Sequence, residues 1–206
     1  MNRLYLIRSS LALIAACTSF AYAAGAQFPD RPIRMIAPSS AGGPVDVVTR
    51  TISQAYAETL GQQIVVDNRA GAAGLIGTET VAKATPDGYT LLFGFSGPLV
   101  IVPQLNATPA PYDSLKDFAP IALAATAPYV LLVNPGSPAK TVQELIALAK
   151  SQPDKLFYGS GGNGTGIHMA GELFNLMAGT RIVHVPFKGA APATTALIAG
   201  EVNMMF

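Results

Sequence analysis

The sequence has no tryptophan, one cysteine, two histidines and few charged residues. A single cysteine, Cys17, lies in a stretch that we expect to be removed, which excludes disulfides and cysteine-based sites from the mature chain. Two histidines without a third ligand at metal-site spacing do not indicate a metal site. The formal net charge of +1 offers no strongly basic face to nucleic acid. We therefore predict no cofactor, no metal and no nucleic-acid partner.

Hydrophobic residues make up 50% of the 206 positions, and glycine and proline are frequent. This composition is ordinary for a globular α/β protein and excludes a disordered one. The length allows one large domain or two small ones. After the N-terminal segment, no stretch is long and apolar enough to predict a membrane span.

The N-terminus has the pattern of an export signal. Two arginines precede an apolar run over residues 11–20, and Ala21-Tyr22-Ala23 matches a cleavage site with small residues. We predict a signal peptide over residues 1–23, with cleavage after Ala26 as the alternative, and a periplasmic mature protein. Residues 14–17 also resemble a lipobox, which leaves open an anchor through a lipid on Cys17.

Strand-like and helix-like segments alternate along the rest of the chain. The first series has predicted strands at 33–37, 64–66 and 89–93, with helices over 44–60 and 75–84. The second has helices over 141–150, 167–178 and 191–199, and strands that end at 158 or span 182–185 and 202–206. Such alternation is typical of parallel, doubly wound sheets and predicts an α/β fold.

The two series are separated by a less regular stretch. It contains two further predicted strands, at 121–125 and 129–133, where we expect the chain to cross from one domain to another. We therefore predict a first lobe over residues 24–124 and a second lobe over residues 125–206.

Two glycine-rich loops, Pro38–Asp46 and Tyr158–His168, each lie between a predicted strand and a predicted helix. Glycine lets the backbone approach a ligand closely, and a helix start offers unpaired N–H groups and a positive dipole end. This combination favours an anion such as a carboxylate or phosphate. The spacing alone is equally compatible with a purely structural turn. The second loop is not a nucleotide P-loop, because no Lys-Ser/Thr pair follows its glycines.

The histidines allow a catalytic alternative. His168 with Ser160 and Asp46 would suit a small hydrolase, although no G-x-S-x-G motif surrounds the serine. His168 otherwise lines a cleft or holds the loop in which it lies. His184, among strand residues, is predicted to be a satisfied core residue.

Several short motifs follow one another in a fixed order over the mature chain. They include Phe28-Pro-Asp-Arg-Pro, Asn68-Arg-Ala-Gly-Ala-Ala-Gly, Thr85-Pro-Asp-Gly-Tyr, Gly162-Asn-Gly-Thr and His184-Val-Pro-Phe-Lys-Gly. As an ordered set they resemble the Bug/TctC family, the periplasmic substrate-binding proteins of tripartite tricarboxylate transporters. The resemblance implies a two-lobed periplasmic-binding-protein (Venus flytrap) fold that closes on a small organic anion bearing a carboxylate.

The resemblance also implies a role and a site. The role is that of a monomeric, non-enzymatic solute-binding protein that serves membrane permease subunits, with a periplasmic ligand-sensing subunit as the alternative. The implied ligand-binding residues are Ser39, Ser40, Ala41, Gly42, Gly43, Asp46, Ser96, Gly97, Asn163, Gly164, Thr165, His168, Pro186, Phe187, Lys188 and Gly189.

Some features depart from the family pattern. Ser39 stands where the family usually has an aromatic residue, Pro44 where it has Ser or Thr, and Asn203 where it tends to have Asp. Family members also continue well beyond the position equivalent to Phe206. We therefore expect the second lobe, and the return of the chain to the first lobe, to be incomplete in this sequence.

Overall fold

Strands joined by helices build two separate β-sheets in the computed structural model, which describes residues 28–105 and 109–206. The predicted signal peptide (residues 1–23) and Cys17 lie outside the described residues. Within those ranges, no helix combines the length and the apolar character needed to cross a membrane.

The first sheet has three parallel strands, β1 (Ile33–Ala37), β2 (Ile64–Asn68) and β3 (Thr90–Leu92), in the order β2-β1-β3. Helix α1 (Pro44–Leu60) joins β1 to β2, and helix α2 (Leu75–Ala82) joins β2 to β3. The two crossovers run in opposite directions along the sheet. Because such crossovers are right-handed, the helices lie on opposite faces, which is the predicted doubly wound arrangement. The central strand β1 is consequently buried along most of its length.

A short helical segment follows the first sheet. It consists of a π-helical turn (Gly97–Ile101) that continues into α3 (Val102–Leu105). No helix was predicted there, because prolines interrupt the sequence pattern. We call residues 28–105 the first-sheet half.

The second sheet has four strands in the order β4-β7-β5-β6, namely β4 (Leu132–Val133), β5 (Phe157–Ser160), β6 (Val183–Pro186) and β7 (Met204–Met205). Strands β5, β6 and β7 are parallel, and β4 is antiparallel to β7. Three helices connect them, α4 (Val142–Ser151), α5 (Gly166–Ala178) and α6 (Ala190–Ala199). We call residues 132–206 the second-sheet half.

Helices cover both faces of the second sheet. On one face, Leu145 of α4 packs with Tyr158 and Met204, and α5 covers the same core. On the other face, Leu197 of α6 packs with Met205. The adjacent residues Met204 and Met205 thus serve opposite cores, as the alternation of side chains along a strand requires. The predicted α/β fold with doubly wound sheets is confirmed.

Helix boundaries follow the signals in the sequence. Pro44 opens α1, and Gly61 closes it in the left-handed conformation (φ 66°). Thr141 and Glu144 form the predicted capping box at the start of α4, in which each side chain bonds the other's backbone N–H. Local chemistry therefore determines where these helices begin and end.

The predicted strand at residues 121–125 is wrong, and the one at 129–133 is reduced to β4. Ile121 and Leu123 are 75% and 83% exposed, and residues 119–131 contain no helix or strand. A short apolar run forms a strand only where a neighbouring strand pairs with it, and no described residue does so here. The lobe boundary predicted at residue 124 falls in this stretch and stays a prediction.

Helix α5 packs against β5 at Gly171, and a substitution at this glycine tests the packing between the two elements. A methyl group at Gly171 would lie 2.6 Å from Cζ of Tyr158, whose side chain is fully buried. We expect Gly171→Ala to destabilise the protein by about 1–3 kcal/mol through overpacking. Helix propensity alone predicts the opposite sign, a gain of about 0.5–1 kcal/mol.

Urea denaturation measures this difference. As a control, Ala147→Gly at an exposed position of α4 should cost only about 0.5–1 kcal/mol, the ordinary effect of glycine in a helix. A Gly171→Ala variant more stable than the wild type would show that Tyr158 does not fill this space.

Candidate functional site

A cleft of about 240 Å³ lies between the two sheets. The first-sheet half contributes Gly71, Ala72, Ala73, Leu75 and Val102 to its lining, and the second-sheet half contributes Gly161, Gly162, Asn163, Phe187 and Lys188. Of the residues predicted from the sequence, only Asn163, Phe187 and Lys188 belong to this lining. The other predicted residues surround the cleft and have different contacts.

The β5–α5 loop (residues 161–165) lies at the carboxyl end of the second sheet, where ligands of open α/β sheets bind. Thr165 caps α5: its hydroxyl donates to the carbonyl of Gly162 (2.8 Å) and accepts from the N–H of His168 (3.4 Å). The imidazole Nδ1 of His168 accepts from the N–H of Gly164 (3.1 Å). Thr165 and His168 therefore use these polar atoms to shape the loop.

These hydrogen bonds leave two backbone N–H groups of the loop without a partner among the described residues. Gly161 and Asn163 line the cleft, and their N–H groups form no hydrogen bond with another described residue. They lie beside the start of the 13-residue helix α5, where the helix dipole is positive. The loop thus offers an anion two backbone donors in a favourable field.

The β1–α1 loop (residues 38–43) is held by the buried carboxylate of Asp46. Its Oδ2 accepts from the N–H of Gly42 (2.9 Å) and from Nε of Arg50 (3.1 Å). Its Oδ1 accepts from the amide of Asn68 (2.9 Å), which also donates to the carbonyl of Ser39 (3.3 Å). Burial raises the pKa of Asp46, but these hydrogen bonds outweigh it and keep that pKa below its ordinary value. Asp46 is thus an ionised anchor whose two oxygens already have partners.

The remaining residues that were predicted to bind the ligand do not line the cleft and have other positions in the structure. The hydroxyls of Ser39 and Ser40 are buried and have no hydrogen-bond partner among the described residues. Gly97 packs under the β2–α2 loop (residues 69–74), since a methyl group there would lie 3.5 Å from the carbonyl oxygen of Ala73. Ala41, Gly42 and Gly43 belong to the β1–α1 loop, Ser96 precedes the π-helical turn, and Pro186 ends β6.

Glycines allow the two halves of the chain to touch. A methyl group at Gly162 would lie 3.7 Å from the backbone nitrogen of Ala73, and one at Gly164 would lie 2.5 Å from Cγ2 of Val102. A methyl group at Gly189 would collide with the hydroxyl of Ser40. At Gly164 and Gly189 the loops of the second-sheet half therefore approach the first-sheet half to distances that a side chain would prevent, whereas at Gly162 the contact is an ordinary van der Waals one.

The residues that the β2–α2 loop and α3 contribute to the cleft lining were not predicted from the sequence. Ala72 and Ala73 have left-handed backbones (φ 47° and 54°), which is uncommon for alanine and costs of order 1–3 kcal/mol for each residue. The position of this loop was a usable signal, because it follows a parallel strand just as the two glycine-rich loops do. Val102 carried no such signal, because only the packing of the two halves brings it to the cleft.

The two histidines form a stack with Tyr158 behind the β5–α5 loop. The ring of His184 lies between those of Tyr158 and His168, with centroid separations of 4.8 and 4.1 Å. Nε2 of His184 lies 2.6 Å from the hydroxyl of Ser160, and Ser160 is fully buried. This geometry does not favour the hydrolase alternative, because a substrate cannot reach the fully buried Ser160, and Asp46 lies in α1 with its carboxylate already bonded to Gly42, Arg50 and Asn68. His184 has a hydrogen-bond partner and is partly buried, as expected of a structural residue.

Both imidazoles are neutral near pH 7. Burial lowers the pKa of His184 to about 4, and the neighbouring His168 contributes in the same direction. Burial also lowers the pKa of His168, against the opposing effect of Glu172. The described residues contain no group of three or more His, Cys, Asp or Glu side chains that could hold a metal ion.

Comparisons with family models, with curated proteins and with solved structures all indicate the same family. A family model described as tripartite tricarboxylate transporter family receptor matches residues 48–206. A UPF0065 protein from the tcbD-tcbE intergenic region of Pseudomonas sp. (strain P51) is 44% identical over 178 residues, which cover 86% of this chain and 52% of that relative.

Two solved structures are also similar. One is R. palustris Rpa4515 with adipate, with a TM-score of 0.84 and 36% identity. The other is MatC from Rhodopseudomonas palustris with bound malate, with a TM-score of 0.79 and 35% identity. The match covers 86% of this chain in both cases, and 59% and 60% of the two structures. The chain thus spans between half and two thirds of the length of these relatives.

The contact between Gly164 and Val102 can be tested by comparing two glycines. Gly164 and Gly61 both have left-handed backbones (φ 86° and 66°), but a methyl group at Gly61 would meet nothing within 4 Å. Both Gly→Ala variants should lose roughly 1 kcal/mol or more from backbone strain. Gly164→Ala should lose a further 1–3 kcal/mol or so, because its methyl group collides with Val102.

Chemical denaturation of both variants measures the difference. Adding Val102→Ala to Gly164→Ala makes room for the new methyl group and should reduce the loss relative to Val102→Ala alone. Equal losses at Gly164 and Gly61, or no coupling with Val102, would disprove the contact.

Acid should weaken the fold through the two histidines. The pKa values of both histidines in the folded state lie below the unfolded value of ~6.5. The neutral rings therefore contribute to the free energy of unfolding, and this contribution is fully present above that pH. This stability is lost as the pH falls from ~6.5 towards 4. Asp46 and Asp67, whose pKa values are below the ordinary 3.8, respond at lower pH.

Thermal melting at several pH values between 7.5 and 4.5 checks this expectation. The melting temperature should fall across the range, and His184→Gln, which removes one buried titrating ring, should make the dependence shallower. A melting temperature that stays constant down to pH 4.5 would contradict the assignment of both rings as partly buried and neutral.

Proposed function

Because this chain belongs to the tripartite tricarboxylate transporter receptor (TctC) family, we propose that it binds a small carboxylate-bearing anion in the cleft between its two sheets. The observation that carries the proposal is the set of donors in the lining. Lys188 is the charged residue of that lining, and Gly161 and Asn163, whose N–H groups have no hydrogen bond with another described residue, line the cleft from the same half. Among the residues that line the cleft, none is a carboxylate. This balance of charge favours an anion over a cation.

Similar proteins support the chemical class of the ligand. The structures of two relatives are described as complexes with adipate and with malate, and both ligands are small dicarboxylates. The cleft volume of about 240 Å³ lies below the roughly 300–1,000 Å³ that is usual for drug-sized ligands. A compact organic acid therefore suits the space better than a larger metabolite.

Binding would favour the closed arrangement of the two halves. The cleft is lined from both sides, so a ligand forms its full set of contacts only when the halves are together. By differential affinity it shifts the population towards the closed state. The close contacts of Gly164 with Val102 and of Gly189 with Ser40 are compatible with this closed state.

The partner and the location follow from the family and the predicted signal peptide. Periplasmic solute-binding proteins of this family deliver their ligand to a membrane transporter. We extend this role to the present chain, with permease subunits as the partner that recognises the closed state. The predicted export signal over residues 1–23 supports a periplasmic location.

Isothermal titration calorimetry with adipate and with malate tests the proposed function. At least one of the two acids should bind with one-to-one stoichiometry. Lys188→Gln should weaken this binding about tenfold, because it removes one charge-assisted contact of roughly 1.4 kcal/mol.

Lys155→Gln, at an exposed position away from the cleft, is the matched control and should leave the affinity unchanged. The proposal fails if neither acid binds. It also fails if the two lysine variants behave alike, because the anion would then lie elsewhere.

A further inference from the structure

We infer that His168 lowers the affinity for the anion in acid, because the β5–α5 loop keeps its shape only while Nδ1 of this ring is unprotonated. Nδ1 accepts the N–H of Gly164 (3.1 Å), so it carries no proton in this arrangement. A proton taken up from solvent would go to Nδ1 and would place two hydrogen-bond donors face to face. The inference rests on the proposed function, to which it adds a control by pH.

Water has little access to the bond between Gly164 and His168. Gly164 is buried, and the side chain of His168 is 17% exposed. A buried N–H group that loses its acceptor keeps its desolvation cost without a compensating bond. Protonation of His168 therefore forces the backbone of Gly164 to move.

A movement of Gly164 changes the cleft. Gly164 directly follows Asn163, which lines the cleft, and a methyl group at Gly164 would lie 2.5 Å from Cγ2 of Val102 in the first-sheet half. On the other side of Asn163, the carbonyl of Gly162 accepts from the hydroxyl of Thr165. The N–H group of Asn163 is thus held between two anchored glycines, and release of one of them displaces a donor that the anion needs.

Side chains from four parts of the chain surround His168. Oε1 of Glu172, on the same helix, lies 3.9 Å from Nε2 of His168 and favours the charged ring. His184 of β6 stacks on the ring at 4.1 Å, and Tyr158 of β5 donates to Glu172 (2.5 Å). Tyr129, from the stretch before β4, packs at the start of α5. Among the described residues, no lysine or arginine forms an ion pair with this group.

The change in affinity falls on the acid side of neutrality. Burial outweighs the effect of Glu172 and lowers the pKa of His168 below its ordinary value of 6.5. Above that value the ring is neutral and the loop keeps its shape. Below the pKa of the folded protein, the fraction of chains with a neutral ring falls about tenfold for each pH unit, and the affinity falls with it.

Calorimetric titration with malate and with adipate, from about pH 7.5 to about pH 4.5, tests the inference. Both acids take up protons in this range, so the quantity compared is the ratio of wild-type to variant affinity at each pH. His168→Asn keeps an acceptor near the position of Nδ1 but does not titrate. The ratio of wild-type to His168→Asn affinity should therefore fall towards acid, approaching about tenfold for each pH unit.

Two further variants sharpen this test. Glu172→Gln keeps an acceptor for Tyr158 but removes the charge that favours protonation, so the fall should begin at a lower pH. His184→Gln is the matched control, because it removes the other histidine, which has no bond to Gly164, and the fall in affinity should remain. A ratio to His168→Asn that stays constant, or that rises as the pH falls, would overturn the inference and leave the proposed function in place.

Nitrogen NMR of the imidazole tests the same bond without a ligand. At about pH 7.5 the proton of His168 should be on Nε2. A proton on Nδ1 would overturn the inference whether or not an acid binds. Absence of binding by both acids at every pH would overturn the proposed function and the inference with it.

Discussion

The close approach of the β5–α5 loop and of the β6–α6 loop (residues 187–189) to the first-sheet half is the constraint on which the shape of the cleft depends. Gly164 meets Val102 and Gly189 meets Ser40 at distances that leave no room for a Cβ atom. Because the halves touch at these points, the space between them is limited to a small cleft. The glycines of these loops thus determine the shape of the site by allowing contact between protein segments, in addition to any close approach of a ligand.

Asp46, Thr165 and His168, three of the polar side chains near the cleft, hold the backbone of its loops in place. Asp46 anchors the β1–α1 loop, and Thr165 and His168 fix the β5–α5 loop. Such anchors keep backbone N–H groups in place before a ligand arrives, so less order has to be gained on binding. They also explain why the residues that look most reactive in the sequence, His168 and Asp46, have their polar atoms engaged within the protein.

Local chemistry in the sequence predicted much of the fold, whereas the details of the site depend on tertiary packing. Gly61, the Thr141–Glu144 capping box and the β5–α5 loop could be identified because caps and turns depend on near neighbours. The left-handed backbone at Ala72 could not, because alanine does not favour that conformation and only its surroundings impose it. The strand predicted at 121–125 had the right pattern, but pattern alone cannot supply the neighbouring strand that it needs.

The pairing of charges in the first-sheet half explains why the charged residue of the cleft lining comes from the second-sheet half. Arg50 is paired with Asp46, and Arg34 and Arg69 both contact Asp67. Each of these arginines has an acidic partner within its own half, and none of them lines the cleft. Lys188 lies on the opposite side, where the described structure shows no ion pair to it. The positive charge of the cleft lining is therefore on the second-sheet side, whereas the nearby arginines of the first-sheet half are already paired with acidic residues.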